Sequence, residues 1–221
     1  MGLPDQHHIP GASIFYMTLR AAWKLTFEDD LSPKLYALMV ETAYNYALLD
    51  RLIAEVPDAR VFDRKDTPGV ETRDDIIARA FKESVARLAA AFGDDPVEWW
   101  WGKLHKLTFP HPLGSVSALS STFNVGPHPM PGALEVPFAE GFNYEGDLEF
   151  SVRYGPAFRM IHDFGAEDDG GMVVDLGQSG WAKTDYYANG FRSWREGKVW
   201  KLSMDKERYS KNALGTLTLA P

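Results

Sequence analysis

Asp95-Pro-Val-Glu-Trp-Trp-Trp-Gly-Lys-Leu-His105, followed by Phe109-Pro-His-Pro-Leu-Gly114, divides this chain into two kinds of sequence. Before it the apolar residues recur at helical spacing. After it prolines at 110, 112, 127, 129, 131 and 137 and glycines at 114, 126, 132 and 141 exclude long helices and impose an extended, turning path. The three adjacent tryptophans are large hydrophobes with indole N–H donors, suited to a packed junction between helices and sheet. His105 belongs with them as a hydrogen-bonded neighbour rather than a catalytic group.

Upstream, Ile14, Phe15, Leu19, Ala22 and Trp23 mark one face of a helix from Ser13 to Thr26. Ser32-Pro33 reads as an N-cap with proline at the first helical position. A long second helix then carries Leu35, Leu38, Met39, Tyr46, Leu49, Leu52 and Ile53 as far as Val56-Pro57. A polar loop, Asp58 to Gly69, leads to the pair Thr72 and Asp75, which resembles a capping box, ahead of Ile76, Ile77, Ala80, Phe81, Leu88 and Phe92. Gly93 is expected to end this third helix in the left-handed conformation.

Downstream, Leu148, Phe150, Val152 and Tyr154 alternate with polar residues as in a strand with one buried face. Ala157 to Phe164 and Met172 to Leu176 flank a turn-rich acidic segment and predict a hairpin. This hairpin is expected to be central, with Met160, His162 and Phe164 on one face and Arg159, Ile161 and Asp163 on the other, so that Ile161 is buried. Thr184 to Arg195 suggests a helix weakened by Gly190, and Leu214 to Leu219 a closing strand. The order of elements gives an α+β chain with a helical first half and a β-rich second half: a flexible tail at 1–12, a helical region at 13–94 and a β-rich region at 95–221.

The 221 residues are 45% apolar and 24% charged, with no cysteine. That is the composition of a globular protein able to bury a core without disulfides, and it excludes thiolate chemistry. A net charge of −8 with no basic cluster argues against a nucleic-acid partner. No apolar run approaches the ~20 residues of a membrane span, and the first residues do not have the pattern of a signal peptide.

Tests for familiar chemistries fail. The six histidines make no i, i+4 metal pair with a following Glu, and His105 and His111 could share a metal only if the loop between them folded back. His7-His8 reads as solvated. Placing Gly170 at the glycine position of a calcium loop puts Leu176 where a bidentate Glu is needed. Gln178-Ser179-Gly180 lacks the flanking glycines of a nucleophile elbow, and Gly165, Gly170 and Gly171 are not followed by the Lys of a phosphate loop. No residue is assigned as catalytic, cofactor-binding or metal-ligating.

Several motifs in order resemble the late β-chain region of the penicillin acylases and their acyl-homoserine-lactone acylase relatives. The Trp-Gly-x-x-His element matches Trp101 to His105, and the His-Pro-Leu element matches His111 to Leu113. Gly155-Pro-Ala-Phe-Arg159, Gly177-Gln-Ser-Gly180, Tyr187, Trp194 and Gly197 fall at the spacing of later family elements. Phe62-Asp63, Thr67 and Glu71 to Asp75 match the segment before the Trp-Gly motif. The chain departs from the family where Tyr186-Tyr187-Ala188 replaces His-Tyr-Asp and Ala157 replaces the Ser of Gly-Pro-Ser.

The resemblance implies part of an αββα sandwich and, in the complete enzyme, hydrolysis of a linear acyl amide by an N-terminal serine whose own α-amino group is the base. Met1-Gly2 offers no such serine, Ser13 lies in a helical pattern, and the oxyanion asparagine belongs to sequence before this segment. The chain alone is therefore expected to be inactive. Its implied partners are the upstream acylase segment and, in the complete enzyme, a small acyl-amide substrate. The implied compartment is periplasmic or extracellular. No organic cofactor is implied, and no ligand set for the family's structural calcium is found. A rival reading is a noncatalytic binding module using Trp181, Tyr186, Tyr187 and Trp194 as exposed stacking surfaces.

Overall fold

The computed structural model describes residues 8–41, 46–142, 146–166, 170–211, 213 and 215–219. The chain divides into two compact units, one within Leu3–Gly155 and the other within Pro156–Pro221.

The first unit starts with helix α1, Pro10–Phe27, three residues ahead of Ser13, because Pro10 supplies a first-turn residue whose missing N–H costs nothing there. Helix α2, Pro33–Glu41, starts where Ser32 Oγ accepts from the Leu35 amide, and helix α3 spans Tyr46–Glu55. Residues 42–45, at the middle of the expected long helix, lie outside the described residues.

Helix α4, Arg73–Phe92, has the full reciprocal box. Thr72 accepts from the Asp75 amide, and the Asp75 carboxylate accepts from the Thr72 amide. Its buried stripe is Ile76, Ala80, Ser84 and Leu88, spaced by four. Phe81 is exposed, and Ser84 takes a core place because its hydroxyl donates to the Ala80 carbonyl. Gly93 has φ 90° but ψ 170°, an extended conformation open to glycine rather than the left-handed helical one.

Helices α1 and α4 pack along each other, and α1 joins two apolar clusters. Its C-terminal half meets Leu49, Phe62, Ile76 and Ala80. Phe62 comes from the loop expected to be polar. That loop is also anchored by buried Arg64, whose guanidinium donates to the Leu25 carbonyl at 2.8 Å, an orphan acceptor at the end of α1, and forks onto the Asp66 carboxylate. The other half of α1 meets Trp99, Trp101, Leu104, Phe142 and Phe150.

After the tryptophans, strand β1, Lys106–Phe109, pairs antiparallel with β2, Val125–Pro129, around the short helix α5, Ser117–Phe123. Strand β3, Gly141–Phe142, pairs with β4, Val152–Tyr154. Phe150 and Val152 are buried as the alternation requires, but Tyr154 is exposed.

In the second unit β5, Phe158–Ile161, pairs antiparallel with β6, Gly171–Val174, which pairs in turn with β7, Trp200–Lys201. The hairpin forms as expected, but β5 is an edge strand of the sheet order β5-β6-β7. Ile161 is 58% exposed, contrary to the expectation of burial. Helix α6, Phe191–Arg195, contacts β6, where Val173 is fully buried, and leaves Ile161 on the neighbouring edge strand uncovered. Only this five-residue helix forms within Thr184–Arg195, because it starts after Gly190. Residues 215–219 form no strand, and Leu214 lies outside the described residues. Helix α7, Lys206–Lys211, had no apolar stripe to announce it.

Candidate functional site

The aromatic junction is centred on His105, which is buried. Its ring stacks on Trp101 at 4.7 Å between centroids and meets Phe142 edge-on at 5.5 Å. Trp101 in turn stacks on Tyr16 of α1 at 4.9 Å. Trp101 Nε1 donates to the Gly132 carbonyl at 2.8 Å, and Trp99 Nε1 donates to the Gly93 carbonyl at 2.7 Å. His105 Nδ1 lies 2.7 Å from the Phe150 carbonyl, an acceptor, so this nitrogen carries the proton. Burial pushes the imidazole pKa down to about 4, against a smaller opposing effect of that hydrogen bond. The ring is neutral at ordinary pH and closed off from solvent. Trp-Gly-x-x-His is thus a packing device in this chain: Gly102 is buried beside Trp101, and the spacing sets the imidazole against the indole.

The His-Pro-Leu-Gly turn is locked by Asn124. Its Oδ1 accepts from the His111 amide at 2.9 Å and its Nδ2 donates to the Gly114 carbonyl at 3.3 Å. A Cβ on Gly114 would sit 1.9 Å from that Oδ1, so any larger residue there would displace the Asn124 clamp. His111 Nδ1 accepts from the Leu113 amide, and its ring stacks on Phe123. With His105 and His111 engaged in this way, the two do not form a metal pair. No group of three or more His, Cys, Asp or Glu that could hold a metal occurs among the described residues. Glu140, fully buried, was not singled out by the sequence; a Cβ at Gly155 would lie 3.1 Å from both its carboxylate oxygens. Gly155 of the Gly-Pro motif gives that carboxylate its room.

In the second unit Arg159 ties β5 to α6. Its Nη1 donates to the Trp194 carbonyl at 2.6 Å, its guanidinium lies over the Trp194 ring, and Trp194 Nε1 donates to the Pro156 carbonyl at 2.9 Å. Trp194 is therefore buried and is no stacking surface, and Tyr187 is half-buried. Trp181 is 70% exposed and Tyr186 is exposed as well. The loop that carries them is cinched at both ends. A Cβ at Gly177 would fall 1.8 Å from the Tyr186 carbonyl oxygen and one at Gly190 2.1 Å from that of Leu176. Ser179 Oγ accepts from the Trp181 amide, a turn contact with no imidazole beside it in that bond.

A cleft of about 450 Å³ opens between α1, α2 and α4. Four of its cations are tied to acids: Arg79 to Glu83 and Arg87 to Asp147, each at 2.9 Å, Arg64 to Asp66 at 2.8 Å and Lys24 to Glu28 at 3.6 Å. Ser84 spends its hydroxyl on its own helix, and burial raises the Tyr36 phenol, which keeps it protonated. None of these groups is an activated nucleophile or a base. Ser13 is buried inside α1, where an interior peptide nitrogen replaces the α-amino group that N-terminal serine chemistry needs.

The Trp-Gly-x-x-His, His-Pro-Leu-Gly and Gly-Pro-x-x-Arg motifs thus have packing roles in an α+β chain. The penicillin amidase family model matches residues 5–211, and the chain belongs to that family. It is similar to the acyl-homoserine lactone acylase QuiP of Pseudomonas syringae pv. tomato, 29% identical over 218 residues that make up 95% of this chain and 26% of the relative. QuiP of Pseudomonas putida is 28% identical over 219 residues, again 26% of its length. The thermostable penicillin G acylase from Alcaligenes faecalis superposes with a TM-score of 0.49 at 13% identity, over 96% of this chain and 38% of that one. The chain spans about a quarter of the length of the relatives it matches.

Proposed function

We propose that this chain is the C-terminal part of a penicillin-acylase-like amidohydrolase and supplies structure rather than reacting groups. The observation that carries the reading is the combination of a family match over residues 5–211 with Trp101, His105, Arg159 and Trp194 of the motifs held in packing and backbone hydrogen bonds. In the complete enzyme an N-terminal serine attacks the amide carbonyl, the amine leaves, and water releases the acyl group from the serine ester. The chain would close one side of the αββα sandwich and lend wall residues to the acyl pocket. Its compartment would be periplasmic or extracellular.

The test is an assay of the purified 221-residue protein, alone and co-expressed with the upstream acylase segment. Penicillin G, a long-chain acyl-homoserine lactone and a chromogenic phenylacetyl anilide are the substrates. No turnover alone, with co-purification and amidase activity in the pair, is expected. Turnover by the chain alone that survives removal of its first twelve residues refutes the reading. The exposed Trp181 and Tyr186 favour one second reading, a noncatalytic ligand-binding module. Saturable quenching of Trp181 fluorescence by a carbohydrate or apolar ligand, with no association with the acylase segment, would establish it.

A further inference from the structure

The edge of the three-stranded sheet is built to be extended. Asp175 donates to the Ala157 carbonyl at 2.9 Å, and Phe158 stands opposite Val174. In an antiparallel ladder hydrogen-bonded pairs alternate, so Ala157, Arg159 and Ile161 turn their backbone groups toward β6. Phe158 and Met160 turn their N–H and C=O groups to the opposite side. No further strand pairs with β5 among the described residues.

The side chains follow the same alternation. Phe158 and Met160 lie on one face of the sheet with Met172, Val174 and Trp200, since Met160 is opposite Met172 and Met172 opposite Trp200. Phe158 is 56% and Met160 60% exposed. Edge strands in water are ordinarily guarded by charges, prolines or bulges. Here the one charge of the strand, Arg159, is drawn to the other face by the Trp194 ring and carbonyl. The result is an unguarded edge beside a face whose paired strand residues, Phe158, Met160, Met172, Val174 and Trp200, are all uncharged.

We propose that β5 is the seam at which this chain joins the remainder of the acylase: a strand from that part adds along Phe158 and Met160 and extends the sheet, and the layer behind that strand packs over the face of Met160, Met172 and Trp200. This inference rests on the proposed function. The occupant follows from length, because the matched relatives have roughly three-quarters of their residues outside the segment this chain matches. A protein partner that adds a strand and brings a packing layer with it satisfies the backbone groups and the apolar face together, which a small ligand does not.

The probe is QuiP of Pseudomonas syringae pv. tomato lacking its matched segment, co-expressed with the tagged 221-residue chain and its variants. Met160→Pro removes the outward N–H while leaving the inward bonds of Arg159 and Ile161. Met160→Lys, at a position 60% exposed, places a charge on the apolar face. Ile161→Lys puts the same charge at similar exposure on the opposite face. Binding by the parent and by Ile161→Lys, with loss of measurable binding in both Met160 variants at unchanged melting temperature for Met160→Lys, supports the seam. Undiminished binding by the two Met160 variants overturns the seam and leaves the proposed function standing. Failure of the parent chain to bind overturns both. A concentration-dependent dimer of the chain that Met160→Pro dissociates, without binding of the probe, assigns the edge to a second copy and overturns the seam.

Discussion

In the unit within Leu3–Gly155, Trp101, Phe142 and Phe150 meet around His105 with almost no surface left in water. In the unit within Pro156–Pro221, Phe158, Met160 and Ile161 of a single strand are all more than half exposed. Similar apolar content is used in two ways. The first unit closes on itself because α1, α4 and the two short hairpins surround the tryptophans from several sides. The second has a three-stranded sheet with a five-residue helix on one face, too little to cover the other. An exposed apolar sheet face is a surface waiting for a layer, whereas the buried aromatic junction is already a core.

The largest effects should separate the two faces of the sheet and the core. Val173→Asp places an unpaired charge at a fully buried site of β6 and should cost about 3 to 5 kcal/mol in urea unfolding of the full chain. Trp101→Ala removes the stack on Tyr16 and His105 and the bond to Gly132, leaving a cavity worth about 3 to 5 kcal/mol by the same measurement. If Trp101→Ala were nearly neutral, the junction would not be the core of its unit.

An intermediate effect is expected from pH. His105 in the fold has its pKa lowered to about 4 from 6.5, so the unfolded chain takes up a proton that the folded chain refuses. Stability is therefore full above about pH 6.5 and falls as pH drops toward 4, by roughly 3 kcal/mol from this group. His105→Leu should flatten that part of the stability-against-pH curve; an unchanged curve would mean the ring is already protonated or solvated.

The smaller effects sharpen the contrast. Thr72→Ala breaks the capping box of α4 and should cost about 1 kcal/mol. Ile161→Asp, at an exposed edge position, should change the stability of the isolated chain by no more than about 0.5 kcal/mol. A cost near that of Val173→Asp would show that Ile161, on the same face as Val173, is covered after all.

Much of this was legible from local pattern. The Thr72/Asp75 box, the Ser32 cap, the β5–β6 hairpin and the burial of Trp99, Trp101 and His105 depend on neighbours a few residues away or on residue type. The Asn124 clamp, the Arg64 cap of α1 and the buried Glu140 join residues far apart in sequence, and no spacing announces them. Ile161 shows the limit most clearly. Alternation separates the two faces of a strand, but which face is covered depends on what else the fold supplies. The residue-by-residue motifs of the Trp-Gly-x-x-His kind were legible only through resemblance, since their packing role needs Tyr16, Gly132 and Phe150 brought from elsewhere.

Amide hydrogen exchange on the full 221-residue chain, with and without the truncated QuiP, tests the contrast between a closed core and an open seam most directly. The account predicts slow exchange at Leu104, His105 and Phe150, whose amides are bonded within the first unit, under both conditions. It predicts fast exchange at Phe158 and Met160 in the chain alone, slower exchange at Arg159 and Ile161, and protection of all four in the pair. Protection of Phe158 and Met160 in the chain alone, independent of its concentration and unchanged by the acylase segment, would contradict it.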